Sequence, residues 1–434
     1  MQTKAKEKIN IVTLGCAKNL VDSEVLMTQL KGNKKDVFHQ REDINPDIVI
    51  INTCGFIDKA KQESIDTILK HAKEKEDGII KKLYVTGCLS ERYKDDLKTD
   101  IPEVDGFYGT RDLPELLKNF EAKYRNELLG DRIITTDSHY AYLKISEGCD
   151  RPCSFCAIPL MRGRHVSKPI DQIILEAKNL VRNGVREIML IAQDSTYYGI
   201  DIYKKRAMSE LLKKLSDVEG LDWIRIHYAY PAGFPMDIIE VMRERDNICN
   251  YLDIPLQHGS TNMLKVMKRG ITREKTDELI KNIRDINPEI ALRTTLIAGH
   301  PGEKERDFRE MYDFVERSQF DRLGIFTYSH EEGTSAHKLE DDVPEQLKRS
   351  RSNKIMALQQ KISTEKNKNK VGKTVKVLVD RVDANNYYGR TEQDSPEVDN
   401  EVIIPSKEMH LRVGDFYDVK ITDSKEYDLI GKVD

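Results

Sequence analysis

The sequence predicts an α/β protein with three successive domains: an N-terminal open parallel α/β domain, a central partial (β/α)6 barrel and a small C-terminal antiparallel β-barrel. Three patterns along the 434 residues support this prediction. Strand-like runs alternate with helical runs up to residue 123, and six more such units follow from residue 140. Short alternating strands take over after residue 371. We therefore place the domains at residues 7–123, 135–367 and 368–434.

In the first domain, each apolar run of strand length precedes an amphipathic helical run. The strand-like runs are residues 9–14, 47–51 and 82–85. Because helices that alternate with strands cover both faces of a sheet, this order predicts a parallel sheet. The C-terminal ends of parallel strands meet at one edge of the sheet, where ligands bind.

The second domain repeats the strand–helix unit six times. Its strand-like runs are residues 141–145, 187–192, 223–228, 251–254, 290–297 and 323–328. Six units predict an incomplete barrel whose chemistry takes place at the C-terminal ends of the strands. The third domain changes to short strands punctuated by glycines, at residues 374–379, 387–391, 402–404, 416–422 and 427–432. This pattern predicts a small barrel of the size that nucleic-acid-binding modules have.

Composition indicates a globular protein of the cytoplasm that does not enter membranes. Charged residues make up 33% of the chain, the net charge is −4, and the longest apolar runs have only strand length. The first residues carry charges without a following apolar signal region. Seven cysteines is an odd number for a chain without an export signal, so metal ligation is favoured over disulfides.

The run Cys149-Asp-Arg-Pro-Cys153-Ser-Phe-Cys156 is the most informative part of the chain. Three thiolates within eight residues can hold three irons of a [4Fe–4S] cluster, which usually takes four cysteines. No fourth cysteine lies nearby, so one iron keeps an open coordination position. An open position predicts chemistry rather than a structural role.

A zinc site is the competing interpretation of these three cysteines. His165 or His139 would supply the fourth ligand of a Cys3His site. Zinc sites, however, usually pair two C-x-x-C halves across a longer gap, whereas these three thiols share one short loop.

Three other cysteines form a second predicted metal site. Cys16, Cys54 and Cys88 each follow a predicted parallel strand of the first domain by one to three residues, and each has a glycine beside it. The edge of the sheet therefore brings together three ligands that are far apart in sequence, again with one iron left open. The alternative is that all three are small buried apolar residues, as we expect for Cys249.

Polar residues at the ends of the barrel strands predict a ligand site. Gln193, Asp194 and Ser195 end the second strand-like run, His227 the third, and Gly299 the fifth. These groups would bind the ribose, amino and carboxylate groups of a ligand, and Arg293 is a candidate for a carboxylate contact. The structural alternative is a turn at Gly299 and a hydrogen-bonded core histidine at His227.

At this point the residues resemble a known family, the radical-SAM (S-adenosylmethionine) methylthiotransferases. The resemblance covers nearly the whole chain: the cysteines of the first domain, the loop Cys149–Cys156 with Arg162-Gly-Arg164, the block Tyr251-Leu-Asp-Ile-Pro-Leu-Gln-His258, and a C-terminal region similar to a TRAM barrel. It implies two [4Fe–4S] clusters and SAM as cofactors, an external electron donor, and Phe155 near the adenine of SAM.

Two branches of this family act on different substrates. The run Ala192-Gln-Asp-Ser-Thr196 resembles the RimO-type branch, which modifies the β-carbon of an aspartate in a small-subunit ribosomal protein. Residues 371–434 carry nine lysines and arginines against fourteen aspartates and glutamates, a net charge of −5. An acidic module suits a basic protein partner better than tRNA, whose phosphates require basic groups.

Two other functions stay open at the level of sequence. One is a methylthiotransferase that modifies isopentenyladenosine in tRNA. The other is a non-catalytic iron–sulfur or zinc binding module. The resemblance favours the ribosomal-protein substrate, with both clusters taking part in the reaction.

Overall fold

The computed structural model describes residues 7–128, 130–406 and 410–433, in which each of the three segments builds its own sheet. The first sheet is parallel, with strand order β2-β1-β3-β4-β5. Its strands are β1 (Lys8–Thr13), β2 (Asp36–His39), β3 (Ile48–Thr53), β4 (Lys82–Gly87) and β5 (Gly106–Phe107). Its helices are α1 (Ala17–Gly32), α2 (Asp58–Glu76), α3 (Cys88–Asp100) and α4 (Leu113–Lys118). The prediction missed helix α4 and the short strands β2 and β5, which form the two edges of the sheet.

The second segment forms a parallel sheet of six strands, the predicted partial barrel. The order is β13-β12-β11-β10-β9-β6, so it follows the chain from one edge to the other. The strands are β6 (Tyr140–Lys144), β9 (Glu187–Ile191), β10 (Trp223–Ile226), β11 (Ile248–Asp253), β12 (Ala291–Ala298) and β13 (Arg322–Thr327). All six strand predictions agree with these bounds to within three residues.

The helices of this segment are α5 (Ile158–Arg162), α6 (Ile170–Arg182), α7 (Ile200–Tyr203), α8 (Met208–Ser216), α9 (Asp237–Glu244), α10 (Thr261–Val266), α11 (Arg273–Ile286), α12 (Glu305–Ser318) and α13 (Glu345–Lys368). The longer ones cover the outer face of the barrel, whereas α5 follows the cysteine loop and packs against α3 of the first domain. Alternate strand residues such as Leu143, Leu190 and Leu252 point to these helices and form the largest apolar core. A small hairpin, β7 (Ser146–Glu147) with β8 (Val166–Ser167), closes the cysteine-rich loop after β6. Among the described residues, no helix has the length and apolar character that crossing a membrane requires.

The third segment closes into a barrel of five strands. They are β14 (Thr374–Val382), β15 (Asn386–Arg390), β16 (Val402–Pro405), β17 (Phe416–Ser424) and β18 (Leu429–Val433). The predicted small antiparallel barrel is confirmed, with four antiparallel pairings and one parallel pairing, between β16 and β18. The parallel pair arises because β18 returns beside β16 after an intervening strand, which closes the barrel and removes its exposed edges.

The inner face of the partial barrel is covered by the other two domains. Helix α1 of the first domain places Val21 against Tyr140, Tyr142 and Ile191 of β6 and β9. The third domain contributes residues 391–399, which we call the inserted loop, between β15 and β16. The inserted loop enters the concave side of the barrel and contacts residues of five of its strands.

The inserted loop is held by buried charged side chains. Arg322 of β13 donates through Nε to Asp394 Oδ1 at 2.9 Å, and Arg293 of β12 donates through Nε to Asp399 Oδ1 at 3.2 Å. Tyr251 completes this contact by donating to Asp399 Oδ2 at 2.7 Å. A buried ion pair that loses one partner leaves an uncompensated charge, which is strongly destabilising. The third domain is therefore fixed to the barrel by charges rather than by apolar packing alone.

Replacing Asp394 with alanine tests this attachment. The change leaves the Arg322 guanidinium buried without its carboxylate, so we expect the free energy of unfolding to fall by about 3 kcal/mol in urea titrations. Asp285→Ala is the matched control, because Asp285 pairs with Lys281 on the surface, where the side chains are 59% and 72% exposed. Its loss should stay below about 1 kcal/mol. Equal effects of the two changes would contradict the account.

Candidate active site

The structure brings Cys16, Cys54 and Cys88 to one edge of the first sheet. Each follows one of three neighbouring parallel strands, β1, β3 and β4, and Cys88 is the first residue of α3. Parallel strands end at the same edge, so these three thiols meet although 72 positions separate the first from the last. Cys54 and Cys88 are buried and Cys16 is exposed, so the site opens to solvent on one side.

Two glycines allow the three cysteine loops to approach closely. A Cβ on Gly15 would lie 2.7 Å from Cys54 Cβ, and a Cβ on Gly55 would lie 2.9 Å from the backbone of Leu89 beside Cys88. Any side chain at either position would push the loops apart. The glycines beside these cysteines are therefore required for steric reasons.

The electrostatics of this first triad fit a positively charged ligand. Burial raises the pKa of Cys88 to about 12, and the neighbouring Cys16 and Cys54 add to the rise. Burial also raises the pKa of Cys54, again with a contribution from Cys16. Buried thiols such as Cys54 and Cys88, which resist ionisation on their own, become good thiolate ligands when a metal group supplies positive charge. The residues therefore fit an iron–sulfur cluster.

Cys149, Cys153 and Cys156 form the second triad on the loop closed by the β7–β8 hairpin. All three are partly exposed at the C-terminal side of the barrel. Burial raises the pKa of Cys156 to about 12 and that of Cys149 to about 11, with the Cys153 thiol adding to both. The same argument applies as for the first triad: three thiols that repel each other as anions fit a cationic cluster.

Cys153 accepts a hydrogen bond from a fixed arginine. Arg269 donates through Nη1 to Cys153 Sγ at 3.1 Å, and the Tyr230 hydroxyl lies 3.8 Å from the same sulfur. Tyr230 gives its one O–H proton to the Arg269 carbonyl at 2.7 Å, which fixes both side chains. A donor to a ligand sulfur stabilises its thiolate form. No sequence pattern predicted a role for Arg269, which lies 116 positions after Cys153.

A cavity of about 120 Å³ opens beside Cys149. It is lined by Cys149, Asp150, Arg151, Pro152, His165, Asp194 and Tyr197. Arg151 donates through Nε to Asp194 Oδ2 at 2.7 Å, and its guanidinium lies over the rings of Tyr197 and Tyr230. Arg151 Nη2 and His165 Nδ1 are buried without a hydrogen-bond partner among the described residues. Two unpartnered nitrogens in one small cavity fit a polar or anionic ligand group.

The other predicted residues of this strand end have partners within the protein. Gln193 donates to Glu147 Oε1 at 2.6 Å and keeps a buried, unpartnered Oε1. Ser195 donates to the Tyr228 carbonyl at 3.2 Å. Their role as SAM contacts stays a prediction. Asp194 affects the cavity by fixing Arg151, a residue for which no sequence pattern predicted a role.

His227 and Arg293 face the inserted loop of the third domain. His227 Nε2 lies 2.9 Å from the Ser395 hydroxyl, and Arg293 also donates through Nη1 to Asp253 Oδ1 at 3.1 Å. Burial pushes the pKa of Asp253 upward, but the contacts with His227 and Arg293 outweigh it and hold that pKa at about 2. Arg293 does contact carboxylates, as expected from its position. They belong to the chain itself, so the structure does not leave its guanidinium free for a ligand.

Gly299 and Phe155 lie on the two sides of His300. Gly299 has a φ of +79° and donates its N–H to Glu303 Oε2 at 2.8 Å, and a Cβ there would lie 2.2 Å from Lys348. Gly299 therefore packs against Lys348 of α13 in a tight turn, and its role as a ligand contact stays a prediction. Phe155 is half-buried with its ring edge-on to His300, at 6.4 Å between centroids. Its predicted place near adenine stays a prediction.

The structure leaves the zinc interpretation one of its two proposed fourth ligands. His139 Nε2 contacts Asp380 at 2.8 Å, and His165 Nε2 contacts Ser167 at 2.9 Å, but His165 Nδ1 lines the cavity beside Cys149. Within the described ranges, no three Cys, His, Asp or Glu side chains are arranged around a single metal ion. The C-x3-C-x2-C spacing continues to favour a cluster over zinc. Cys249 is buried with Trp223 and Tyr251, as its assignment to the core predicts.

Family models match all three segments of the chain. The model described as Radical SAM superfamily matches residues 143–315, and the one described as Uncharacterized protein family UPF0004 matches residues 8–109. The model described as TRAM domain matches residues 371–433. The second triad thus lies in the radical SAM match and the first triad in the N-terminal match.

Curated relatives match the chain over its whole length. A protein of Cytophaga hutchinsonii named "Ribosomal protein uS12 methylthiotransferase RimO" is 59% identical over 99% of this chain and 98% of its own length. The chain belongs to the RimO family of radical SAM methylthiotransferases. RimO proteins of Flavobacterium psychrophilum and Chloroherpeton thalassium are 56% and 54% identical, each over the full length of both chains. The family assignment made from the cysteine spacing and strand-end motifs is confirmed.

Solved structures of more distant proteins share the fold. The radical SAM methyltransferase TsrM of Kitasatospora setae, solved with cobalamin and a [4Fe–4S] cluster bound, has a TM-score of 0.54 at 14% identity. The match covers 74% of this RimO-family chain and 75% of TsrM. The cobalamin-dependent radical enzyme OxsB gives a TM-score of 0.52 over 77% of this chain and 55% of its own. At such low identity these likenesses show the fold alone.

The buried side chain of His300 makes the folding stability of the protein depend on pH. The ring is buried, its Nδ1 donates to the Pro301 carbonyl at 3.1 Å, and its Nε2 therefore accepts from the Ser154 hydroxyl in the cysteine loop. Burial lowers the pKa of His300 to about 4. The unfolded chain takes up this proton near pH 6.5 and the folded chain does not, so stability is lost as the pH falls from about 6.5 towards 4.

We expect the free energy of unfolding to fall by about 2 kcal/mol more in the parent than in His300→Gln when the pH drops from 8 to 5. Unfolding by urea, followed anaerobically by circular dichroism at both pH values, measures this difference. His337→Gln is the control, because His337 is exposed and its ring contacts water in both states. A parent and a His300→Gln variant with the same pH dependence would show that His300 is not held neutral.

Proposed function

We propose that this chain inserts a methylthio group at the β-carbon of an aspartate in ribosomal protein uS12. The observation that carries the proposal is the match along the whole chain to proteins named for this activity, at 59% identity for the Cytophaga hutchinsonii protein. The run Ala192–Thr196, which resembles the ribosomal-protein branch, supports it independently. A reaction on a ribosomal protein would take place in the cytoplasm. The tRNA alternative is not favoured by these relatives.

In this proposal Cys149, Cys153 and Cys156 hold a [4Fe–4S] cluster with one open iron that binds SAM. When bound, this cluster would supply the electron that breaks the sulfonium bond of SAM, and an external donor would restore it. Arg269 and Tyr230 hold Cys153 as a ligand, and His300 orients the loop through Ser154. The chain's part in this step is to position the thiolates and to limit the access of water.

Arg151 and His165 are suited to hold the amino-acid end of SAM. Their unpartnered Nη2 and Nδ1 atoms line the cavity beside Cys149, and Asp194 fixes the orientation of Arg151. A guanidinium pairs well with a carboxylate, so the carboxylate of SAM is the group we assign to Arg151. The cavity of about 120 Å³ is smaller than the roughly 300 Å³ of a typical cofactor pocket. The rest of SAM would therefore extend beyond it.

Cys16, Cys54 and Cys88 hold a second cluster in this proposal, and it would carry the sulfur that is inserted. The glycines at positions 15 and 55 let the three loops close around it. The exposed Cys16 faces the open side of the site, where sulfur and a methyl group from a second SAM would arrive. The two triads thus have separate roles: one cleaves SAM and the other delivers the methylthio group.

The charge of the third domain supports a basic protein substrate. Residues 371–434 carry a net charge of −5, and ribosomal proteins are typically basic. Complementary charge speeds encounter and disfavours nucleic acids, whose phosphates are repelled. Within the described part of this domain, exposed acidic side chains lie at Asp418 and Asp423 of β17.

Replacing single cysteines separates the two roles. We expect Cys153→Ala to abolish reductive SAM cleavage, because one iron of the cluster on Cys149, Cys153 and Cys156 loses its thiolate. Cys88→Ala should still cleave SAM but yield no methylthio product. Cleavage is measured as 5′-deoxyadenosine and insertion as the mass of the product. Cys249→Ala is the control and should retain both activities. Methylthio product from the Cys88 variant would contradict the division of roles.

The substrate is tested in a strain that lacks its own methylthiotransferases. Expression of this chain should add the mass of a methylthio group to an aspartate of uS12 and leave tRNA adenosines unchanged, both measured by mass spectrometry. The Cys153→Ala chain provides the inactive control. Modified isopentenyladenosine together with unmodified uS12 would replace the proposal with the tRNA alternative.

A further inference from the structure

Arg162 is a buried side chain at the junction of the first two domains, and the proposed function gives it no role. It is the last residue of α5, six positions after Cys156, and it is only 2% exposed. A guanidinium stays charged in proteins, so burying it costs several kcal/mol unless its N–H groups find partners. Each N–H group of Arg162 therefore needs a hydrogen-bond partner.

The guanidinium of Arg162 contacts the surroundings of both triads. Nη1 donates to Asp22 Oδ2 at 2.6 Å and to Glu147 Oε2 at 3.0 Å, and Nη2 donates to Asn19 Oδ1 at 2.5 Å. Asn19 and Asp22 lie in the first turns of α1, directly after Cys16. Glu147 precedes Cys149 by two positions. One side chain thus joins the helix after the first triad to the strand before the second.

The remaining donor of Arg162 points to a ligand sulfur. Nε lies 3.2 Å from Cys88 Sγ, a normal distance for an N–H···S hydrogen bond. Cys88 also packs against Ala157 and Met161 of the segment that leads to Arg162, and α5 packs on α3. The backbone that follows the second triad therefore lies directly against one ligand of the first. Packing and hydrogen bonding both fix the position of this sulfur.

Both the charge of Arg162 and its Nε–H group act on the Cys88 sulfur. Lys144 also contacts Asp22 and Glu147, the latter at 2.6 Å, so two cations and two carboxylates balance in number here. The guanidinium charge and the N–H···S hydrogen bond work in the same direction, because each lowers the pKa of the Cys88 thiol that burial raises. Hydrogen bonds to the sulfurs of a cluster stabilise its more negative, reduced form and raise its reduction potential.

We propose that Arg162 is a positioning residue of the first triad: its N–H···S hydrogen bond fixes Cys88 and raises the reduction potential of the cluster that this triad holds. Its other N–H groups keep the two cluster sites in one fixed arrangement. The inference rests on the proposal that the first triad holds a cluster of its own. It adds a residue of the radical SAM domain to the surroundings of the N-terminal cluster.

The test uses the full-length chain with Cys149, Cys153 and Cys156 all changed to alanine, so that only the first triad holds iron. In this background, Arg162→Gln removes the charged donor and Arg162→Lys keeps a cation with fewer donors. An anaerobic redox titration followed by electron paramagnetic resonance should show a lower midpoint potential for Arg162→Gln and a smaller shift for Arg162→Lys. Arg164→Gln, at an exposed position two residues further on, should leave the potential unchanged.

The outcomes distinguish the proposed role of Arg162 from the proposed cluster of the first triad. Loss of iron from the Arg162→Gln chain, with Arg162→Lys loaded at a shifted potential, supports the inference. Full iron content with the parent potential in both Arg162 variants overturns it and leaves the proposed function intact. A parent background that binds no iron contradicts the proposed first cluster itself. If Arg162→Gln fails to fold by circular dichroism, the potential of Arg162→Lys against that of Arg164→Gln decides.

Discussion

Buried arginines that pair across domain boundaries hold this protein together. Arg162 joins the barrel to the first domain through Asp22, and Arg322 joins it to the third through Asp394. Arg132, in the linker between the first two domains, contacts Glu24 of α1 and Glu176 of α6. Breaking a buried ion pair leaves an uncompensated charge at a cost of about 3–5 kcal/mol. These contacts therefore oppose any separation of the domains.

This constraint determines how the two cysteine triads face each other. Helix α1 begins directly after Cys16 and packs on the inner face of β6 and β9, so the first triad is carried to the mouth of the barrel. Helix α5 leads away from Cys156 and packs against α3, which begins at Cys88. The element that follows each triad thus packs against the other domain. Chemistry that needs both sites then requires no large movement of the domains.

The sequence predicted what depends on local pattern. The cysteine spacing, the strand-end positions and the alternation of strands and helices were sufficient for the fold class, the two triads and the family. Contacts between distant segments were not predictable: the acidic residues 391–399 have the composition of a solvated loop, yet Asp394 and Asp399 pair inside the barrel with arginines of β13 and β12. Arg293 was predicted to contact the carboxylate of a ligand, whereas the structure pairs it with Asp253 and with Asp399, which lies 106 positions away.

The most direct measurement of the central claim is the iron and sulfide content after anaerobic reconstitution. Two three-cysteine sites, each with a four-iron cluster, predict about eight irons for the parent chain. They predict about four for a chain with either triad replaced by alanine. Material that stays colourless and free of iron would contradict the account. So would a parent with one cluster that is lost on replacement of either triad, because the two sites would then be one.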